Sequence, residues 1–98
     1  MIKHIVLMTF KASADKEAKM NEIKTELEKL TLVIPELKEM RAGLNINPAE
    51  QWDFALESLF ESMHDLAIYV EHPAHQKIVK DLIAPIKLDR ACIDYQCD

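Results

Sequence analysis

The stretch Tyr69-Val70-Glu71-His72-Pro73-Ala74-His75 gathers three side chains that can carry or hold a proton around a proline that turns the chain. Neutral imidazole is the side chain best matched to proton transfer near pH 7. Proline disfavours helical angles in the residue before it and suits the first position of a helix, so His72 ends one helix and Pro73 opens the next. His75 then falls on the first turn of the new helix. The break keeps a single helical wheel from relating its direction to that of Tyr69. A competing reading uses the same geometry without chemistry: His72 caps, Tyr69 packs and His75 is solvated. His4 adds a further imidazole, because it interrupts an otherwise apolar strand face. It is either a hydrogen-bonded core histidine or part of the same site. His64 and His72 are read as solvated.

These side chains must be placed by strands and helices whose periodicity is legible. Ile2, His4, Val6, Met8 and Phe10 alternate on one face of a first strand, and Ile5 and Leu7 make the other face apolar as well. Ser13 offers a helix cap, with Asp15 and Glu17 in the positive first turn, and Met20, Ile23, Leu27 and Leu30 form the stripe of a helix ending near Leu30. A second strand alternates Met40, Ala42, Leu44 and Ile46 with Arg41, Gly43 and Asn45. The single glycine there suggests a bulge, a close backbone approach or a plain weak point. After a turn at Asn47-Pro48, Trp52, Phe54, Leu56, Ser58 and Phe60 share one face of a third strand, which makes a hairpin with the second. Ser62-Met63-His64-Asp65 is a capping box with Asp in the place of Glu, and it opens the helix that breaks at His72-Pro73. The continuation presents Ile78, Val79, Leu82 and Ile83 until Pro85, and Leu88 to Tyr95 forms the last strand.

The order is β-α-β-β-α-β with a broken second helix, the pattern of an α+β, ferredoxin-like fold with a four-stranded antiparallel sheet and its helices on one side. At 98 residues, 49% of them hydrophobic, the chain is expected to be one domain, 1–98, with one core. Twelve basic against 17 acidic residues give a net charge of -5, with the two signs interspersed, which argues against nucleic acid as a partner. No stretch reads as a signal peptide or membrane span, so a cytoplasmic protein without a membrane partner is expected. Cys92 and Cys97 lack the spacing of a disulfide framework or a metal site; they are read as free thiols, Cys92 as the more buried, and no metal or cofactor is expected. A one-sided sheet leaves its other face bare. With apolar residues on both faces of the first strand and aromatics along the third, that face predicts a homodimer packed sheet to sheet.

The chain resembles the stress-responsive dimeric α/β-barrel (Dabb) domain family. The resemblance rests on His4-Ile5-Val6-Leu7-Met8-Thr9-Phe10, the Gly43-Leu44-Asn45 strand, Phe60-Glu61-Ser62, the Tyr69 to His75 motif and Asp94-Tyr95, in that order and spacing. It implies the same fold and a dimeric α/β barrel. The best understood activity of the family, a cofactor-free aldol cyclisation of a polyketide, implies His4, His75 and Tyr69 as catalytic residues. The cyclase's tyrosine on the first helix corresponds here to Glu26 or Leu27, and its third-strand histidine to Phe54. The pocket is therefore expected to be less polar on one wall, with Leu27, Phe54 and Trp52 as contacts for a small apolar or aromatic ligand; Trp52 and Phe54 also read as core or interface residues. The resemblance further implies a possible cation on the backbone carbonyls of Thr31, Ile34 and Leu37. Three readings follow: a small-molecule-binding or cofactor-free acid/base enzyme, a non-catalytic stress-associated structural dimer, and a cofactor-free monooxygenase-like protein.

Overall fold

A computed structural model describes residues Met1 to Cys97; Asp98, the last residue of the expected domain, lies outside the described residues. The elements follow the expected order. Strand β1 spans Ile2–Phe10 and helix α1 Lys16–Glu28, closed by a 3₁₀ turn at Lys29–Leu32. Strands β2 and β3 span Glu39–Leu44 and Phe54–Phe60. Helices α2 and α3 span Met63–Glu71 and Pro73–Ile78, a widened π turn covers Val79–Ile83, and β4 runs over Lys87–Gln96. The sheet is antiparallel in the order β2-β3-β1-β4. This is the ferredoxin-like α+β arrangement that the alternation of strand and helix periods predicts.

Period-two alternation sends Val6, Met8 and Phe10 of β1 and Phe54, Leu56 and Phe60 of β3 toward the helices. There Ile23, Leu27, Leu66, Tyr69 and Ile78 complete a dry core. Phe10 and Phe54 meet edge to face, ring centroids 5.9 Å apart at 73°. Burying such a side chain stabilises the fold by about 2–3 kcal/mol, so these two anchor the end of the sheet remote from His4.

Several local expectations change in the structure. Ser13 does not cap α1: its hydroxyl donates to the Asp15 carboxylate at 2.8 Å, and Asp15 stands at the cap position without a side-chain bond to the helix backbone, its carboxylate pairing instead with Lys19 at 3.5 Å. Trp52 and Ile46 lie outside their strands, which end where the Asn45 and Asn47 side chains bond to backbone two residues away. Gly43 carries no bulge, since pairing with β3 runs without interruption from Glu39 to Leu44, and no atom stands within 4 Å of where a Cβ would lie. Cys92 is exposed, because β4 is an edge strand whose helix-side face extends past the helices.

The open face also differs from expectation. The aromatics of β3 all point to the helices, and the residues between them are Ala55, Glu57 and Leu59. The register instead builds an apolar band from Ile93 and Tyr95 on β4 through Ile5 and Leu7 on β1 to Ala55 and Gly43, beside a charged half with Lys3, Glu57 and Arg41. Ile93 and Tyr95 are 60% and 46% exposed. The outer edge of β2 is closed by α1: Glu28 accepts the Ala42 N–H at 3.0 Å, and Lys24 donates to the Ala42 carbonyl at 2.8 Å while pairing with Glu28 at 2.7 Å. Side chains thus satisfy backbone groups that would otherwise template another strand.

Candidate functional site

Strands, all three helices and the π turn converge on a cavity of about 230 Å³ between sheet and helices. His4, Val6 and Met8 of β1 with Leu56 of β3 form its floor, Leu27 of α1 one wall, and Tyr69 and His75 the opposite wall, closed by Val79 and Ile83 of the π turn. That turn is widened where the Ala84 N–H reaches back to the Val79 carbonyl at 2.7 Å.

The His-Pro break positions the second wall. The Ser62 hydroxyl accepts the Asp65 N–H at 3.1 Å and starts α2. His72, in extended conformation, then ends that helix and caps the next, its Nδ1 accepting the Ala74 N–H at 3.0 Å. The turn brings the half-buried His75 back onto Tyr69, with ring centroids 4.3 Å apart. The Val70 carbonyl, released from the helix ladder where α2 stops, lies 3.0 Å from His75 Nδ1 and also accepts the Gln76 side-chain N–H at 2.6 Å. That partner assigns the proton to Nδ1, so Nε2 keeps its lone pair. Burial pushes the His75 imidazole below its ordinary value; the Val70 carbonyl opposes this, and the positive charges that His4, Arg90 and His72 can carry add to the lowering.

Tyr69 is 1% exposed and packs against Phe60 at a centroid distance of 5.1 Å. Among the described residues its hydroxyl is the buried side-chain polar atom without a hydrogen-bond partner. Burial drives its ionisation far above the ordinary phenol range, so it stays a neutral donor at any working pH. A buried hydroxyl left unpaired costs about 1–3 kcal/mol, so this one has a hydrogen bond to offer to a water or a ligand group.

His4 is buried, edge-on to Phe60, and its Nδ1 is held by the Asp94 carboxylate directly across the β1-β4 register. Asp94 orients this ring, and the sequence pattern did not single it out for that role. Its signal lies in residue spacing along β4, where Arg90, Cys92 and Asp94 share the face that carries His4.

The structure thus brings His4, Tyr69, His75 and Leu27 together. Phe54 does not reach this cavity, since Leu56 occupies the β3 position at its floor, and Trp52 lies with Phe54 beside a separate depression near Gly43 and Glu50. The alternation that buries Phe54 against Phe10 carries it one strand position beyond the cavity. At the turn after α1, the Ile34 carbonyl already accepts the Leu37 N–H at 3.1 Å. A larger groove of about 390 Å³ between α1 and α3 is lined by Leu30, Ile78 and Leu82 under a charged rim and contains no imidazole or phenol.

Residues 2–97 match the family model described as the Stress responsive A/B Barrel Domain. A stress-response A/B barrel domain-containing protein of Arabidopsis thaliana is 33% identical over 99 residues, which cover 100% of this chain and 37% of that protein; the chain thus spans well under half of that relative. The olivetolic acid cyclase of Cannabis sativa is 30% identical over 77 residues, 76% of this chain and 75% of the cyclase. Among solved structures, a dimeric protein of unknown function with a ferredoxin-like fold from Bacteroides fragilis superposes with a TM-score of 0.93. It is 36% identical, and the match covers 98% of this chain and 95% of that one.

Proposed function

The chain belongs to the stress responsive A/B barrel domain family, and from that premise we propose that it binds a small, mostly apolar carbonyl compound in the His4-Tyr69-His75 cavity and moves a proton on it without a cofactor. The observation that carries this reading is a cavity wall that pairs the Tyr69 ring, whose buried hydroxyl has no hydrogen-bond partner among the described residues, with His75 and its free Nε2 lone pair. His75, kept neutral by burial, is the base that takes a proton from the carbon beside the carbonyl. The Tyr69 hydroxyl donates to the enolate oxygen that develops, where removal from water strengthens the bond. His75 then returns the proton from its Nε2, and His4, oriented by Asp94, is the second imidazole beside the bound carbonyl compound. The volume lies below the roughly 300–1,000 Å³ of sites for drug-sized ligands, which limits the substrate to a compact molecule. The 30% identity to olivetolic acid cyclase supports carbonyl chemistry, while the apolar Leu27 on the cavity wall argues for a different substrate.

The working unit in this reading is a homodimer joined through the open sheet face, where Ile93, Tyr95, Ile5 and Leu7 form the apolar band. The dimeric description of the Bacteroides fragilis relative supports it. The test is exchange of solvent deuterium into the position between the carbonyls of a panel of compact β-diketones, read by NMR, because exchange needs no knowledge of the later steps. Catalysed exchange that disappears in His75→Ala and falls in Tyr69→Phe is expected. No exchange and no ligand-induced shift at the His75 ring across the panel would leave the structural dimer as the function.

A further inference from the structure

The helix-side face of β4 brings together a donor set of which the proton-transfer reading uses His4 and Asp94 and leaves Cys92 without a role. Cys92 and Asp94 are two residues apart on this edge strand and therefore on one face, and the β1-β4 register sets Asp94 opposite His4 and Cys92 opposite Val6. His4 Nδ1, the Cys92 sulphur and an Asp94 carboxylate oxygen all lie within 4.8 Å of one another. From this geometry we propose that His4, Cys92 and Asp94 form a binding site for one zinc-class divalent cation, with three protein ligands and a fourth position open to water or a ligand.

The distances carry the argument. In a tetrahedral centre with bonds of about 2.3 Å to sulphur and about 2.0–2.1 Å to nitrogen or carboxylate oxygen, neighbouring ligand atoms stand about 3.3–3.7 Å apart. Cys92 Sγ lies 3.5 Å from His4 Nδ1, the length of one edge of such a tetrahedron, and 3.9 Å from Asp94 Oδ1, slightly longer than a second edge. The direct His4-Asp94 hydrogen bond then gives way to two bonds to the metal. The donor types select the ion: imidazole, thiolate and carboxylate together suit zinc, whereas magnesium and calcium take oxygen alone. A thiolate and a carboxylate also neutralise a divalent charge. Access is direct, since Cys92 is exposed and β4 forms the sheet edge, while the buried His4 ring supplies a rigid anchor. Burial and the Asp94 carboxylate push the Cys92 thiol up, an effect that Arg90, on the same face two residues before it, opposes only in part, and the Arg90 charge also opposes a cation.

The experiment titrates the reduced full chain with cobalt(II) and then zinc, each as the metal alone. One cobalt per chain is expected, with the intense visible bands of tetrahedral coordination and a near-ultraviolet thiolate-to-cobalt charge-transfer band, both removed by stoichiometric zinc. Cys92→Ser should abolish the charge-transfer band and weaken binding at least about tenfold, Asp94→Asn should weaken it, and Cys97→Ser should change nothing. The far-ultraviolet circular dichroism of each variant checks that the fold persists. Absence of saturable cobalt or zinc binding overturns the proposal, as does a charge-transfer band that survives Cys92→Ser or vanishes in Cys97→Ser. The readout is spectroscopic, so it stands or fails independently of deuterium exchange in the cavity.

Discussion

The rings of Tyr69 and His75 meet at a centroid distance of 4.3 Å and an angle of 43°, although a proline and a change of helix separate them in the chain. The contact places a neutral phenol and a neutral imidazole on one wall, and the phenol's hydroxyl has no partner. Tyr69→Phe is therefore expected to keep the fold and gain about 1 kcal/mol, since the variant removes an unsatisfied buried group and little packing. Urea unfolding checks this. A clear loss of stability would mean that the hydroxyl serves the structure instead of a ligand.

The depressed His75 imidazole has a definite consequence for acid stability. Its folded value lies below the ordinary 6.5, so the unfolded chain binds the proton more readily over the interval between the two. This group's contribution is whole above the unfolded value, declines as the pH falls from about 6.5 toward the folded value, and levels off below it. The difference in unfolding free energy between wild type and His75→Gln, measured across that interval, should narrow in step with the His75 ring resonance.

Phe54 and Leu56 separate the core from the cavity. Phe54→Leu is expected to cost about 1–2 kcal/mol through lost packing against Phe10, while ligand-induced shifts at His75 stay unchanged. Leu56→Ala should alter those shifts, because its side chain forms the cavity floor. A ligand response that follows Phe54 instead would restore it to the site.

Ile93 sits across from Ile5 in the middle of the apolar band. Ile93→Glu places a charge where a partner sheet would pack, at a desolvation cost of several kcal/mol. Sedimentation should show a dimer for wild type and a monomer for the variant, and an unchanged sedimentation coefficient would move the interface elsewhere.

Glu28 closes the outer edge of β2. Glu28→Ala should unlock the Ala42 amide, turning a slowly exchanging hydrogen into a fast one and costing about 1 kcal/mol. Native-state hydrogen exchange at Ala42, with its hydrogen-bonded neighbours in the β2-β3 ladder as reference, reads this directly.

The chain's own letters carry a large part of this molecule. Period-two alternation in residues 2–10 and 54–60 fixes which side chains face the helices, and Pro73 alone dictates the broken helix and the capping role of His72, because these are consequences of backbone sterics within a few residues. His4, Tyr69 and His75 were legible as candidates by type. What the local pattern did not contain is register. Asp94 meets His4 across 90 residues, and Cys92 joins them because β4 pairs with β1 in one alignment and not in one shifted by a residue, which would turn every side chain to the other face. The same non-local pairing decides that Leu56 and not Phe54 reaches the cavity, that the aromatics of β3 leave the open face, and that the hydroxyl of Tyr69 ends without a partner. Sequence periodicity assigns a residue to a face; only the packing of distant strands and helices decides which neighbours it finds there.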